Sequence, residues 1–278
     1  MNYRHVFHAG NFADVFKHAV VTLLLRSLAR KDAPFCYCDT HAGAGRYDLQ
    51  SEAARKTGEY RDGIQRIWDK TPLSGLEDYL AAVRAMNPAG TLHYYPGSPA
   101  IARYLLRSQD RMVLIEQHPE ECERLNVEFA GDRRVTVHRQ DGYAALKAFL
   151  PPREKRGLVL IDPPYESMNE YAQAVDGLRV AHTRWSTGVF AVWYPIKDRA
   201  PVRGFHRQLT ASGIRKMLVA ELCPYPADSA FRLNGSGIVI VNPPWQVDET
   251  LAALLPRLLE VLRQNRSGRV ELFWLVPE

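Results

Sequence analysis

The stretch GLVLIDPPY at 157–165 decides the fold: a short apolar run, Leu158 to Ile161, stops on Asp162-Pro163-Pro164-Tyr165. A run this brief, rich in branched side chains and closed by prolines, predicts a strand buried on both faces. Neither proline can donate to a sheet ladder, so the chain must leave the sheet there. Working outward, PFCYCD at 34–39, MVLIE at 112–116, VTVHRQD at 135–141 and GVFAVWYP at 188–195 repeat the pattern. Each is followed by a polar stretch of helical character, an alternation that predicts an α/β architecture with a mostly parallel sheet and helices on both faces. KMLVAEL at 216–222 and GIVIVNPPW at 237–245, joined by a loop rich in Pro, Asp, Asn and Gly, predict a terminal antiparallel hairpin at the edge of that sheet.

Upstream, Val15, Phe16, Ala19, Val20, Leu23, Leu24 and Leu28 recur at helical spacing, with Asn11 placed as a cap and Asp14 in the first turn. The spacing predicts an amphipathic helix over 13–29. More than sixty residues separate Gly45 from the strand at 112, where a strand–helix–strand step needs only about thirty. Ile64, Ile67 and Trp68, then Leu76, Tyr79, Leu80 and Val83, fall at helical spacing in this gap. A helical insertion over 46–96 is therefore expected, with 1–45 and 97–278 forming the main domain.

Of the 278 residues, 46% are hydrophobic and 24% charged, which excludes a disordered or collagenous chain. The apolar run at 19–25 falls far short of the roughly 20 residues a membrane span needs. Residues 1–8 lack the apolar centre of a secretory leader, so a cytoplasmic protein without membrane contact is expected. Cys36, Cys38, Cys122 and Cys223 are too few and too scattered for a disulfide framework or a four-cysteine zinc site, and read as buried thiols. No metal is expected. The formal charge of +5 permits nucleic-acid binding without requiring it.

In open α/β sheets ligands bind beyond the carboxyl ends of the strands. Here those ends carry Asp39-Thr40-His41 with the loop Gly43-Ala44-Gly45, then Glu116, then Asp141-Gly142, then Asp162. A short glycine turn is most often structural. The dinucleotide fingerprint would need glycine where Asp48 stands, and the Lys-Ser or Lys-Thr of a P-loop is absent. The acids that remain suit a ligand with a cationic amino-acid end and ribose hydroxyls, a description S-adenosyl-L-methionine meets. Gly43 would let the backbone approach it, Asp39 would face its cationic end, Glu116 would accept from both ribose hydroxyls, and Asp141 would take the exocyclic amine. Each acid taken singly is also readable as a surface carboxylate.

Asp162-Pro163-Pro164-Tyr165 points to amine chemistry. The lone pair of an adenine N6 amine is delocalised into the ring, which makes it a weak nucleophile. If the Asp162 carboxylate and the Pro163 carbonyl both accept N6 hydrogens, the lone pair localises toward a methyl donor, and Tyr165 stacks on the extruded base. A strand terminator is the plainer reading of the same four residues. The rival tetrapeptide, Asn242 to Trp245, follows a strand expected to run antiparallel, so its end should face away from the cofactor edge.

The opening YRHVFHAGNFADVFKH, then DTHAGAGRYDL, YYPGSP, IDPPYE and the final WLVPE together resemble the bacterial 23S ribosomal RNA adenine-N6 methyltransferases labelled J. The resemblance spans essentially the whole chain. It implies a Rossmann-like class I methyltransferase that uses S-adenosyl-L-methionine to form N6-methyladenosine in 23S rRNA. It further implies cofactor contacts at Lys17, His18, His41, Ser98, Glu116, Asp141 and Gly142, a catalytic acid at Asp162, and a substrate-contacting Tyr3. For Lys17 and His18 alone a solvated helix face is the ordinary reading, and for Ser98 a serine turn. The main departure, at Phe12 near Phe16, leaves the catalytic assignment untouched.

A DNA adenine-N6 methyltransferase would use the same tetrapeptide, and a noncatalytic nucleic-acid-binding protein linked to use of external DNA would keep the fold. A hydrolase is disfavoured, because no nucleophile elbow is present. For the RNA, Lys197, Arg199 and Arg203 after the fifth strand, Arg232 in the hairpin loop, and Arg55, Lys56, Arg61 and Arg66 in the insertion are expected on the Asp162 edge. Arg153, Lys155 and Arg156 precede the Asp162 strand and should lie on the opposite edge. A monomer acting on protein-free 23S rRNA is expected.

Overall fold

The computed structural model describes residues 4–68, 74–167, 169–226, 233–264 and 268–278. In chain order the elements are α1 (Phe12–Ala29), β1 (Cys36–Asp39), β2 (Arg46–Asp48), α2 (Glu52–Thr57), α3 (Ile64–Trp68), α4 (Glu77–Ala85), β3 (Tyr94–Pro96) and α5 (Ser98–Leu105). They continue with β4 (Arg111–Ile115), α6 (Pro119–Glu128), β5 (Val135–His138), α7 (Gly142–Phe149), β6 (Gly157–Ile161), α8 (Glu170–Arg184) and β7 (Val189–Ile196). The last are α9 (Arg199–Ala211), β8 (Met217–Cys223), β9 (Gly235–Val241), α10 (Val247–Leu262) and β10 (Arg269–Val276).

Among the described residues the main sheet has eight strands in the order β10-β8-β9-β7-β6-β1-β4-β5. From β7 to β5 every pairing is parallel. Two apolar clusters cover the two faces: Leu158 and Leu160 of β6 point into one, Val159 and Ile161 into the other. That split explains why the run showed no polar alternation, since a strand covered by helices on both faces has no solvent side.

The antiparallel pair exists, but not at the edge. β9 lies between β7 and β8, and β10 pairs antiparallel along the outer side of β8. The expectation placed the edge one strand too early because RVELFWLV at 269–276 was not read as a strand. Its apolar residues divide between the two faces, Val270 and Leu272 against one cluster and Phe273 and Leu275 against the other. β9 is antiparallel to both of its neighbours, so β8 runs in the direction of β7. The carboxyl ends of β1, β4, β5, β6, β7 and β8 therefore share one edge. Val241, which ends β9, pairs with Phe190 and Met217 at the other edge, as expected for a reversed strand.

Asn11 caps α1 by accepting from Asp14 N at 2.9 Å. This helix is covered almost all round, and Asp14, Lys17 and His18 are buried with its apolar residues. It packs against α4, α5, α10 and the sheet. Between Arg46 and Pro96 lie α2, α3 and α4, closed by a two-stranded antiparallel β2–β3 ribbon. Gly97 N donates to Gly45 O at 2.9 Å at the base of the ribbon. Ile64, Ile67, Tyr79, Leu80 and Val83 share one apolar cluster with α1. Gly63 packs on the N-terminus of α1 so closely that a Cβ there would stand 2.1 Å from Gly10 O. Among the described residues no helix is long and apolar enough to cross a membrane.

Candidate active site

The shared strand edge, the first half of α1 and the 46–96 segment enclose a cavity of about 980 Å³. His41 and Gly43 reach it from β1, Glu116 from β4, Asp162 through Tyr165 from β6, and Trp193 and Lys197 from β7. Lys17 and His18 enter from α1, and Ser98 from α5. Residues far apart in sequence are thus brought to one wall by strand order alone.

Lys17 stands at the centre. Its Nζ lies 2.7 Å from Asp162 Oδ2 and 2.9 Å from Asp14 Oδ1, with the Trp193 ring centroid 5.7 Å away. Burial alone would lower the Lys17 pKa, yet the two carboxylates raise it above the usual lysine value. Asp14 is buried too, which alone would raise its pKa, but His5 and Lys17 hold it well below the usual carboxylate range. Gly10 N and His5 Nε2 each reach Asp14 Oδ2 at 2.9 Å. A buried, multiply bonded carboxylate is thus the fixed base on which Lys17 rests.

At Glu116 burial raises the carboxyl pKa, although Oε1 accepts from His118 N at 2.7 Å and Oε2 from Gly43 N at 2.8 Å. Gly43 has φ 61°, a conformation that favours glycine, and a Cβ there would stand 2.2 Å from Tyr47 Oη. Burial lowers the His41 pKa to about 4, leaving a neutral ring. Thr40 Oγ1 donates to Leu160 O at 3.0 Å and lies 2.8 Å from His41 Nδ1. His18, kept neutral by burial, bonds Tyr95 Oη at 2.8 Å.

Three residues expected to touch cofactor are not among those that line the cavity. Asp39 is fully buried and accepts from Tyr37 Oη and Ser98 Oγ, each at 2.7 Å; burial pushes its pKa up to about 6. It orients Ser98, which does line the cavity. Asp141 caps α7, accepting from Ala144 N at 2.8 Å. Gly142 permits close packing: a Cβ there would stand 2.3 Å from Thr40 O.

Tyr165 takes φ 51°, in the left-handed region that costs a bulky residue of order 1–3 kcal/mol. The turn carries the ring back under β7, where Tyr165 Oη donates to Trp193 O at 2.8 Å and the ring packs against Tyr171 and Trp193. Tyr165 is only 9% exposed, so Trp193, which the sequence reading did not single out, shares the aromatic wall. Asp14 was likewise read only as a first-turn acid. Its signal was available: a charged residue among Val15, Phe16 and Ala19 on a helix that turns out to be buried.

Among the basic residues, Lys197 reaches the cavity. Arg203 is exposed on α9. Arg199 departs from expectation: rather than a free surface cation, it pairs with the fully buried Glu221 and, at 3.3 Å, with Glu271. A carboxylate in the sheet interior requires a counter-ion, and the start of α9 supplies it. Tyr3 and Arg232 lie outside the described residues. Arg153 and Lys155 are exposed before β6, whereas Arg156 donates to Leu28 O and Ala33 O. At the far edge Asn242 Nδ2 donates to Ser186 O and Gly188 O, both at 2.8 Å. Asn242-Pro243-Pro244-Trp245 is therefore a loop clamp remote from Asp162.

Comparison with known proteins places this geometry. A family model described as ribosomal RNA large subunit methyltransferase D, RlmJ, matches residues 32–276. The ribosomal RNA large subunit methyltransferase J of Escherichia coli is 47% identical over the full length of both chains, and that of Haemophilus influenzae 43%. The crystal structure of protein LPL1258 from Legionella pneumophila superposes with a TM-score of 0.89 at 37% identity, covering 96% of this chain and 98% of that one.

Proposed function

The chain belongs to the ribosomal RNA large subunit methyltransferase J family, and from that premise we propose that it methylates N6 of one adenosine in 23S rRNA, with S-adenosyl-L-methionine as methyl donor. The observation that carries the proposal is that Glu116 and Asp162, from β4 and β6 on either side of β1, face one cavity. The residues present fit the cofactor. Glu116 is a buried acceptor suited to ribose hydroxyls, Gly43 ties the loop after β1 to that carboxylate through its N–H, and Ser98 and His41 add polar atoms to the same wall. When bound, the cofactor supplies an electrophilic methyl group.

This chain's residues act on the amine. Asp162, aimed by Lys17, accepts one N6 hydrogen, and the Pro163 carbonyl is available for the other. As the methyl arrives, positive charge develops on N6 and the carboxylate faces it; the surplus proton then passes from N6 to the Asp162 carboxylate and on to solvent. A group so aimed is worth about 3–4 kcal/mol, or 10²–10³ in rate. Tyr165 and Trp193 supply flat apolar surface for the extruded base. Lys197, Arg203 and Arg232 are read as contacts for the RNA backbone, and Tyr3 as a further substrate contact. On this reading the protein works as a cytoplasmic monomer, with 46–96 as an insertion flanking the RNA.

Labelled cofactor and protein-free 23S rRNA, followed by digestion to nucleosides, test the proposal. Label is expected in N6-methyladenosine alone. Label in another nucleoside, or in DNA and not RNA, would overturn it.

A further inference from the structure

Beside the main cavity, on the same strand edge, lies a second pocket of about 70 Å³. Lys197, Arg199, Cys223, Tyr225, Asn234 and Arg269 line it, and Lys197 and Tyr225 line the main cavity as well. The two spaces are therefore neighbours across one lysine and one tyrosine. Three cations meet there, against the carboxylates of Glu221 and Glu271, which leaves one formal positive charge.

Three of the residues that line the pocket each carry a buried polar atom that makes no hydrogen bond within the protein. Arg199 Nε and Arg269 Nε are shielded from solvent and make no hydrogen bond. Arg269 Nε does lie 3.4 Å from Glu271 Oε1, close enough for charge attraction but not aligned for a bond. Asn234 is 3% exposed, and its Oδ1 is likewise buried without a donor. Its amide is fixed, because Nδ2 donates to Lys197 O at 3.1 Å, so Oδ1 cannot exchange places with the nitrogen without facing a carbonyl. Its backbone is fixed too, with Asn234 N donating to Ile196 O at 2.9 Å. A buried acceptor without a donor costs about 1–3 kcal/mol, which a ligand with a hydroxyl would relieve.

We infer that this pocket is a ribose-phosphate subsite for a nucleotide adjacent to the target adenosine, an inference that rests on the RNA-methylating reading above. The two guanidinium Nε–H groups and Lys197 take the phosphate oxygens, and Asn234 Oδ1 accepts from the ribose 2′-hydroxyl. The volume suits a phosphate with one sugar edge, not a base. A 2′-hydroxyl donor is what RNA has and DNA lacks at such a site. The Asp162 tetrapeptide, which suits either polymer, is thereby given a device beside it that distinguishes them.

The test uses an rRNA fragment that the full-length protein methylates, with single 2′-deoxy substitutions placed in turn at the nucleotides flanking the adenosine that receives the methyl group. Wild type should show one position where the deoxy change weakens binding about five- to tenfold, the size of one hydrogen bond. Asn234→Ala should lose that discrimination at that position only. The readout is a ratio within each variant, so a general loss of affinity cancels. Arg269→Gln provides an independent arm that leaves the Asn234 amide in place: it should weaken binding and flatten the salt dependence by about one unit. No Asn234-dependent position, or an unchanged salt slope in Arg269→Gln, would overturn the subsite. Failure to find any 23S rRNA fragment that the wild-type protein methylates would instead overturn the proposed function.

Discussion

Lys17 Nζ lies 2.7 Å from Asp162 Oδ2, so the first helix of the chain holds a carboxylate 145 residues downstream. Asp162→Ala should lower methyl transfer by about 10²–10³ while cofactor affinity stays within several-fold. Transfer within tenfold of wild type would remove Asp162 from the chemistry.

Lys17→Met leaves Asp14 and Asp162 without their shared cation. Unpairing a buried ion costs about 3–5 kcal/mol, so the variant should melt well below wild type. Adding Asp162→Asn should recover part of that stability and none of the activity. Calorimetry on the two variants checks the sign; no recovery in the double variant would mean that Lys17 serves Asp14 alone.

Glu116→Gln should weaken cofactor binding by about 1.5–3 kcal/mol, with a smaller effect on rate at saturating cofactor. It removes an acceptor that also holds Gly43 N and His118 N. Unchanged affinity in titration calorimetry would show that the end of β4 is not the ribose ligand.

His41 and Asp39 should make opposing contributions to stability in acid. The folded pKa of His41, about 4, lies below its ordinary 6.5. Its contribution is complete above 6.5 and lost as pH falls toward 4, up to about 3 kcal/mol. The folded pKa of Asp39, about 6, lies above 3.8, so its contribution is complete below 3.8 and lost as pH rises through 6. His41→Gln should therefore gain stability relative to wild type as pH drops from 6.5 to 4. Parallel melting curves for the two proteins across that window would contradict the assignment of the neutral ring.

Lys197→Ala with Arg203→Ala should weaken rRNA binding and flatten its salt dependence by one to two units, while Arg153→Ala with Lys155→Ala should do much less. Arg199 and Arg156 are left out because replacing either would also break bonds within the protein, to Glu221 in the one case and to Ala33 O in the other. Equal effects from the two double variants in a salt series would move the RNA track off the Asp162 edge.

The parallel core was legible because buried strands ending in Asp39, Glu116 and Asp162 carry their signal locally. So was the reversal of β9, since the connection between Cys223 and Gly235 is too short for a parallel crossover with its own helix. β10 was not legible: a half-covered final strand lacks the dense apolar run of the others. Nor was the pairing of Lys17 with Asp162, because spacing along α1 cannot show that the helix is buried on nearly every side. Arg199 misled for a related reason. Its loop position looked solvated, and only the fold shows Glu221 beneath it. The resemblance, not the spacing, drew attention to Lys17 and His18.

The cavity of about 980 Å³ stands at the upper limit for a single small ligand, where 300–1,000 Å³ is usual. Its walls are divided, with Glu116 at one end and the Tyr165–Trp193 surface at the other, so two reactants can be present at once. A single molecule joining a nucleoside to an adenine through a short linker would therefore convert two binding events into one. The second would then proceed at the millimolar effective concentration a short tether imposes. Blocking such an enzyme needs no tighter grip at either end, only a bridge of the right length.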